Sequence, residues 1–228
     1  RRQRLRLPHR HCGGGRAGAP RHGELRASVR QKSTTDYSTY EVKQMNLDFD
    51  VSAIFQDQTA SSIGLDRYSC IMNRFNTTDV SSDADFQRVF NGFYRVRRNE
   101  QWRKAYYRLF EQAKTKTLSF ADIINYMYEN TGNIEPSFSS KMYATVYPNK
   151  PIWDKYVLQN LNLELKGKNK VEKLNNAITL YAEIEKWYDN FMKTDKSAEW
   201  LAAFDFAWPD YRNISSIKKI DFVLWQNR

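Results

Sequence analysis

From about residue 60 to the end of the chain, apolar side chains recur every three or four positions, and no stretch alternates convincingly as a strand. Phe86, Val89, Phe90, Phe93 and Tyr94 follow this spacing after a polar loop at 77–83, where Ser82 or Asp83 is a suitable N-cap. Trp102, Tyr106, Leu109, Phe110 and Ala113 repeat it after Asn99. Such faces bury their apolar surface only by packing helix on helix. Ser119 and Asp122 read as a capping box, and Gly132 stops the helix that they open. A helix over 137–147 should halt at Pro148, and another should open at Pro151. The longest face runs from Val171 through Leu174, Ile178, Tyr181 and Tyr188 to Phe191. Ser197 opens a further helix, ended by Pro209, and Ile217, Ile220, Val223 and Leu224 mark the last. The expected class is mostly α: a single multi-helix domain of about eight helices.

Charge divides the chain unevenly. Residues 1–32 hold nine arginines, Lys32 and one acid, Glu24, and so carry +9 of the net +10. All three histidines and five of the nine glycines lie there too, and the segment has no Asn, Tyr or Phe. Three readings of it stand: a nucleic-acid-binding basic arm, an Arg-rich transit segment, or a leader ahead of a protein that starts near Met45. The third is preferred. Residues 1–44 are accordingly expected to be a disordered basic tail outside the fold, and 45–228 the helical domain.

The absence of histidine beyond residue 32 removes Ser-His-Asp and Cys-His catalysis, and His-ligated metals, from the domain. Two cysteines, Cys12 and Cys70, suit a reducing compartment and make no disulfide framework. No run reaches the roughly eighteen apolar residues of a membrane helix. The pairs Asp205…Asp210 and Glu183…Glu185 read as solvated helix surface before they read as cation ligands. No Walker loop or glycine-rich dinucleotide turn occurs. No metal or cofactor is expected, and the location expected is cytoplasmic.

Two stretches could carry chemistry. Between 87 and 116 lie nine basic groups, among them Arg95, Arg97, Arg98, Arg103, Lys104 and Arg108, against two acids, Glu100 and Glu111. Clustered guanidinium groups bind phosphates and attract polyanions, and Phe93, Tyr94, Trp102, Tyr106 and Tyr107 could stack on bases. Equally, the aromatics could be core and the basic groups a solvated face. In the second stretch, Glu129–Val157, a tight turn, a helix bearing Lys141 and a proline-bounded turn lead to Asp154 at a helix start. The helix dipole and free amides keep such a carboxylate ionised, and an amine near it becomes a nucleophile if partly desolvated. Ordinary capping and ordinary surface lysine are the alternatives.

The pattern Ser137-Phe138-x-Ser140-Lys141, then Pro148, then Pro151-Ile152-x-Asp154-x-x-Val157, resembles the active-site stretch of the helix-hairpin-helix DNA glycosylase superfamily. It is most similar to the shorter bacterial branch of 8-oxoguanine glycosylases. The resemblance implies a helix-hairpin-helix glycosylase-like fold, DNA as partner and base excision repair as the setting. It implies Lys141 as the Schiff-base nucleophile attacking the sugar C1′ and Asp154 as the activating carboxylate, with a flipped base stacked on aromatics such as Trp102, Tyr106, Tyr107, Tyr143 or Trp153. The turn Gly132-Asn133-Ile134-Glu135-Pro136 differs from the superfamily's Gly-x-Gly: Glu135 repels a phosphate and Pro136 has no amide to donate. The rivals are a non-catalytic helical DNA- or protein-binding module of the same fold and a structural interaction module. The protein is expected to act as a monomer.

Overall fold

The computed structural model describes residues 47, 49–55 and 58–227. The expectations for 1–44 lie outside the described residues. Among them the chain is helical without a strand. It runs α1 (Val51–Ile54), α2 (Gln58–Phe75), α3 (Ala84–Tyr94), α4 (Glu100–Gln112), α5 (Phe120–Thr131), α6 (Pro136–Val146), α7 (Lys155–Asn160), α8 (Lys170–Phe191), α9 (Asp195–Ala207) and α10 (Ser216–Gln226). A short 3-10 turn, Pro209–Tyr211, follows α9. The mostly α class read from the spacing is the class observed.

Helix starts follow side chains that accept the first free amides. Asp83 caps Phe86 N, Asn99 caps Trp102 N, and Ser119 and Asp122 form the full capping box. Gly132 ends α5 at φ 68°, where a side chain would be strained. Two starts differ from the spacing. Thr194 caps α9, so Ser197 lies inside the first turn. The helix expected from Pro151 opens only at Lys155, because Asp154 is extended and its Oδ1 accepts Tyr156 N at 2.9 Å. The amide of Trp153 is engaged elsewhere, donating to Ser140 Oγ at 2.8 Å.

Two apolar clusters fill the domain. One joins Ile71, Phe75, Phe86, Phe90, Tyr106, Phe110, Ile123 and Met127, from α2 to α5, with Met142 of α6. The other joins Phe120, Trp153, Val157, Tyr181, Tyr188, Trp200, Phe204 and Val223, from α5 and α7 to α10. Helix α5 serves both, placing Ile123 and Met127 in the first and Phe120 and Ile124 in the second. It packs on α4, α6 and α8, while α10 packs on α7 and α9. The polar groups described next come from elements of both clusters.

Candidate active site

Helix α6 is buried along Ser139, Ser140, Lys141, Met142, Ala144 and Thr145, so its lysine cannot reach freely into water. Lys141 is only 9% exposed. Its Nζ donates to Ser137 Oγ, one turn back, at 3.0 Å, and lies 5.1 Å from the Phe138 ring centroid and 5.6 Å from that of Tyr94. Among the described residues it makes no ion pair. Aromatic faces attract a cation by about 0.5–2 kcal/mol each, less than the cost of taking an ammonium out of water. Burial therefore dominates and pushes the Lys141 ammonium down to about 8. Asp154 opposes that shift, while Lys218 and Arg95 add to it by like-charge repulsion.

Asp154 reaches the neighbourhood of Lys141 through one hydrogen-bonded hinge. Ser140 Oγ donates to Ser137 O at 3.0 Å and accepts from Trp153 N, which pins the turn after Pro148 against α6. Trp153 is buried, and the next residue, half-buried, caps α7. The carboxylate thus acts on the lysine through space, as well as on Lys218 and Asp221.

Lys218 and Asp221 of α10 were not singled out as chemistry from the sequence. Lys218 Nζ sits 5.0 Å from the Tyr68 ring centroid and 6.0 Å from that of Phe93. Asp221 is 3% exposed, and its Oδ1 accepts from Tyr188 OH at 2.5 Å and, more loosely, from Ile152 N at 3.5 Å. Its Oδ2 is buried with no hydrogen-bond partner among the described residues. Burial pushes this carboxyl up to about 6 against the pull of Lys218. The available signal is a carboxylate inside the apolar run Ile220–Leu224, on the same helical face as the buried Ile217 and Leu224.

The arginines and lysines of 87–116 do not form one patch. Arg95 ends α3 in the left-handed region at φ 54°, uncommon without a glycine, and its charge acts on Lys141. Arg97 is exposed beside it. Arg98 turns inward, bonding Glu135 through Nε and Nη2 and lying 5.2 Å from the Phe138 ring centroid. Arg88, Arg103, Lys104 and Arg108 face two shallow grooves on either side of α4. Asn91, Gln101 and Asn130 share their walls, which include neither Lys141 nor Asp154. The exposed pairs Arg88–Asp85 and Lys104–Glu100 are the kind that water and salt loosen readily.

The aromatics expected to stack on a base are otherwise engaged. Trp102, Tyr106, Tyr107 and Trp153 are core, because their positions fall on inward faces; Trp102 stacks on Tyr106 at 4.8 Å. Tyr143, half-buried, packs on Tyr147 and Tyr181. Asp205 and Glu185, whose spacing leaves them open as cation ligands, pair with Lys219 and Lys150.

No family model, no curated protein and no solved structure matches this chain.

Proposed function

We propose that this is a DNA-binding helical protein of the helix-hairpin-helix glycosylase type, acting on a damaged nucleotide through Lys141. The observation that carries this reading is a buried amine with no ion pair among the described residues, its proton loosened, in electrostatic reach of a capping carboxylate. A desolvated lysine beside other cations is how proteins obtain an amine nucleophile near neutral pH.

The Lys141 Nζ lone pair attacks C1′ of a flipped nucleotide, and the glycosidic bond leaves with the base, which gains a proton. Asp154 takes the proton released by the attacking nitrogen and stabilises positive charge at the sugar. The proton gained by the base comes from water; the C1′–O4′ bond then opens, O4′ takes the proton held by Asp154, and a protonated imine is left between lysine and sugar. Substrate would have to open the seam above α6, since the lysine is almost covered. Arg103, Lys104 and Arg108, on the grooves beside α4, supply phosphate contacts.

The test is borohydride trapping on duplex containing an abasic site or 8-oxoguanine. A covalent adduct that forms with the intact protein and is lost with Lys141→Gln supports the reading. Equal trapping by both ends it, because other amines trap abasic sites slowly.

One observation favours a second reading, a non-catalytic module of the same fold that binds DNA away from the turn before α6. The turn before α6 offers Glu135, already paired with Arg98, and Pro136, which has no amide, where a phosphate would need donors. DNA binding without any Lys141-dependent adduct is its signature.

A further inference from the structure

We infer that Lys218 is a positioning residue for Lys141: both amines sit on one aromatic shelf, where the Asp221 carboxylate stands one turn from Lys218 and the Lys218 charge repels that of Lys141. This deepens the reading of Lys141 as a nucleophile and rests on it for its consequence.

The shelf is continuous. Tyr68 of α2 meets Phe93 of α3 at 6.4 Å between ring centroids, and Phe93 meets Tyr94 edge-on at 4.6 Å. Lys218 occupies the Tyr68–Phe93 end and Lys141 the Tyr94 end. Two ammonium groups held on one low-dielectric surface repel, so one proton is released more easily than the other.

The surroundings decide which one. Lys218 faces two carboxylates, Asp221 one turn along its own helix and Asp154 at the head of α7. Lys141 faces Asp154 alone, with Arg95 at the end of α3 as a further positive charge. The remaining titratable groups of the seam, Tyr68, Tyr94 and Tyr188, are held neutral by burial and add no charge. Burial lowers Lys218 as well, but its two carboxylates oppose that, so Lys141 is the amine that yields its proton first. Asp221 itself is anchored by Tyr188, which fixes one oxygen and leaves Oδ2 without a partner among the described residues.

A readout independent of DNA tests this. Trace acetylation by acetic anhydride across about pH 6 to pH 11, with peptide mass spectrometry, gives the titration of each lysine separately. In the intact protein Lys141 should titrate below a free lysine side chain in a reference peptide. In Lys218→Met its profile should move to higher pH, with the reactive fraction at neutral pH falling about two- to threefold, since burial remains. Lys218→Arg keeps the charge and should keep the low profile. Should the methionine variant not fold, Lys218→Gln removes the same charge and takes its place. An unchanged Lys141 profile in the neutral variant overturns the proposal, as does a wild-type Lys141 that titrates with the lysine of the reference peptide. Borohydride trapping on the same variants separates the two ideas. A shifted profile with no DNA adduct removes the glycosylase reading and leaves the coupling. An adduct with no shift does the reverse.

Discussion

Arg98 and Glu135 form a two-pronged ion pair, Nε to Oε1 at 2.9 Å and Nη2 to Oε2 at 3.0 Å, which ties the loop before α4 to the turn before α6. The glutamate is almost covered, with 7% of its side chain exposed, whereas the arginine keeps 41%. The two partners are therefore unequal in what their loss leaves behind. Arg98→Met strands a buried carboxylate and should lower stability by about 1–3 kcal/mol. Glu135→Gln leaves an arginine that water can reach, and should cost less. Urea unfolding of both variants checks the order, and a larger loss for Glu135→Gln contradicts it.

Ser140 connects the two halves of the candidate site. Ser140→Ala leaves the buried Trp153 amide without its acceptor, a loss of about 1–3 kcal/mol. Hydrogen exchange at the Trp153 amide should accelerate more than exchange in α8. Uniform acceleration would mean a global effect and no local hinge.

Lys141 should act against stability near neutral pH. Its native form holds the proton less tightly, about 8 against the ordinary 10.5, so the penalty is full below about pH 8. It fades as pH rises through the interval up to 10.5, and stability should rise across that window. Lys141→Met should therefore be more stable than wild type at pH 7 by about 2–3 kcal/mol at most, with the gain vanishing above pH 10.5. Denaturant midpoints at the two ends of the window provide the comparison. A destabilised methionine variant at pH 7 would show that the Ser137 hydrogen bond and ring contacts outweigh the buried charge.

Asp221 shifts the opposite way for its class. Its folded carboxyl, near 6 against the ordinary 3.8, binds a proton more tightly than in the unfolded chain. Its contribution to stability is therefore greatest below about pH 4 and is lost as pH rises toward 6. Asp221→Asn keeps an acceptor for Tyr188 and removes that loss. Relative to wild type it should gain stability between these limits, by about 2–3 kcal/mol at most. A flat difference from pH 4 to pH 7 would show that Lys218 fully compensates the carboxylate.

Affinity for DNA, where present, should come from the α4 face. Arg103→Gln, Lys104→Gln and Arg108→Gln together should flatten the log–log salt dependence by up to about three units, provided all three touch phosphates. Arg98→Gln should leave the slope unchanged, because its guanidinium is already committed to Glu135. A drop in slope with Arg98→Gln alone would place DNA at the turn before α6 instead.

Local signals alone settled the helical class and most helix starts. Asp83, Asn99, the Ser119–Asp122 box and Gly132 act within a few residues of themselves, through amides and backbone angles that neighbouring sequence determines. Lys141 and Asp154 could be singled out for the same reason, being thirteen residues apart on adjoining elements. Tertiary structure alone decided what surrounds them. Asp154 stands as a cap and not inside a helix, because Ser140 takes the Trp153 amide. Arg98 belongs to Glu135, 37 residues away, and the aromatics of α4 belong to the core. Lys218, with Asp221 one turn along, comes to Lys141 from the far end of the described chain. Charge interactions in a buried seam depend on distance and desolvation, and neither is encoded in the spacing of residues along one helix.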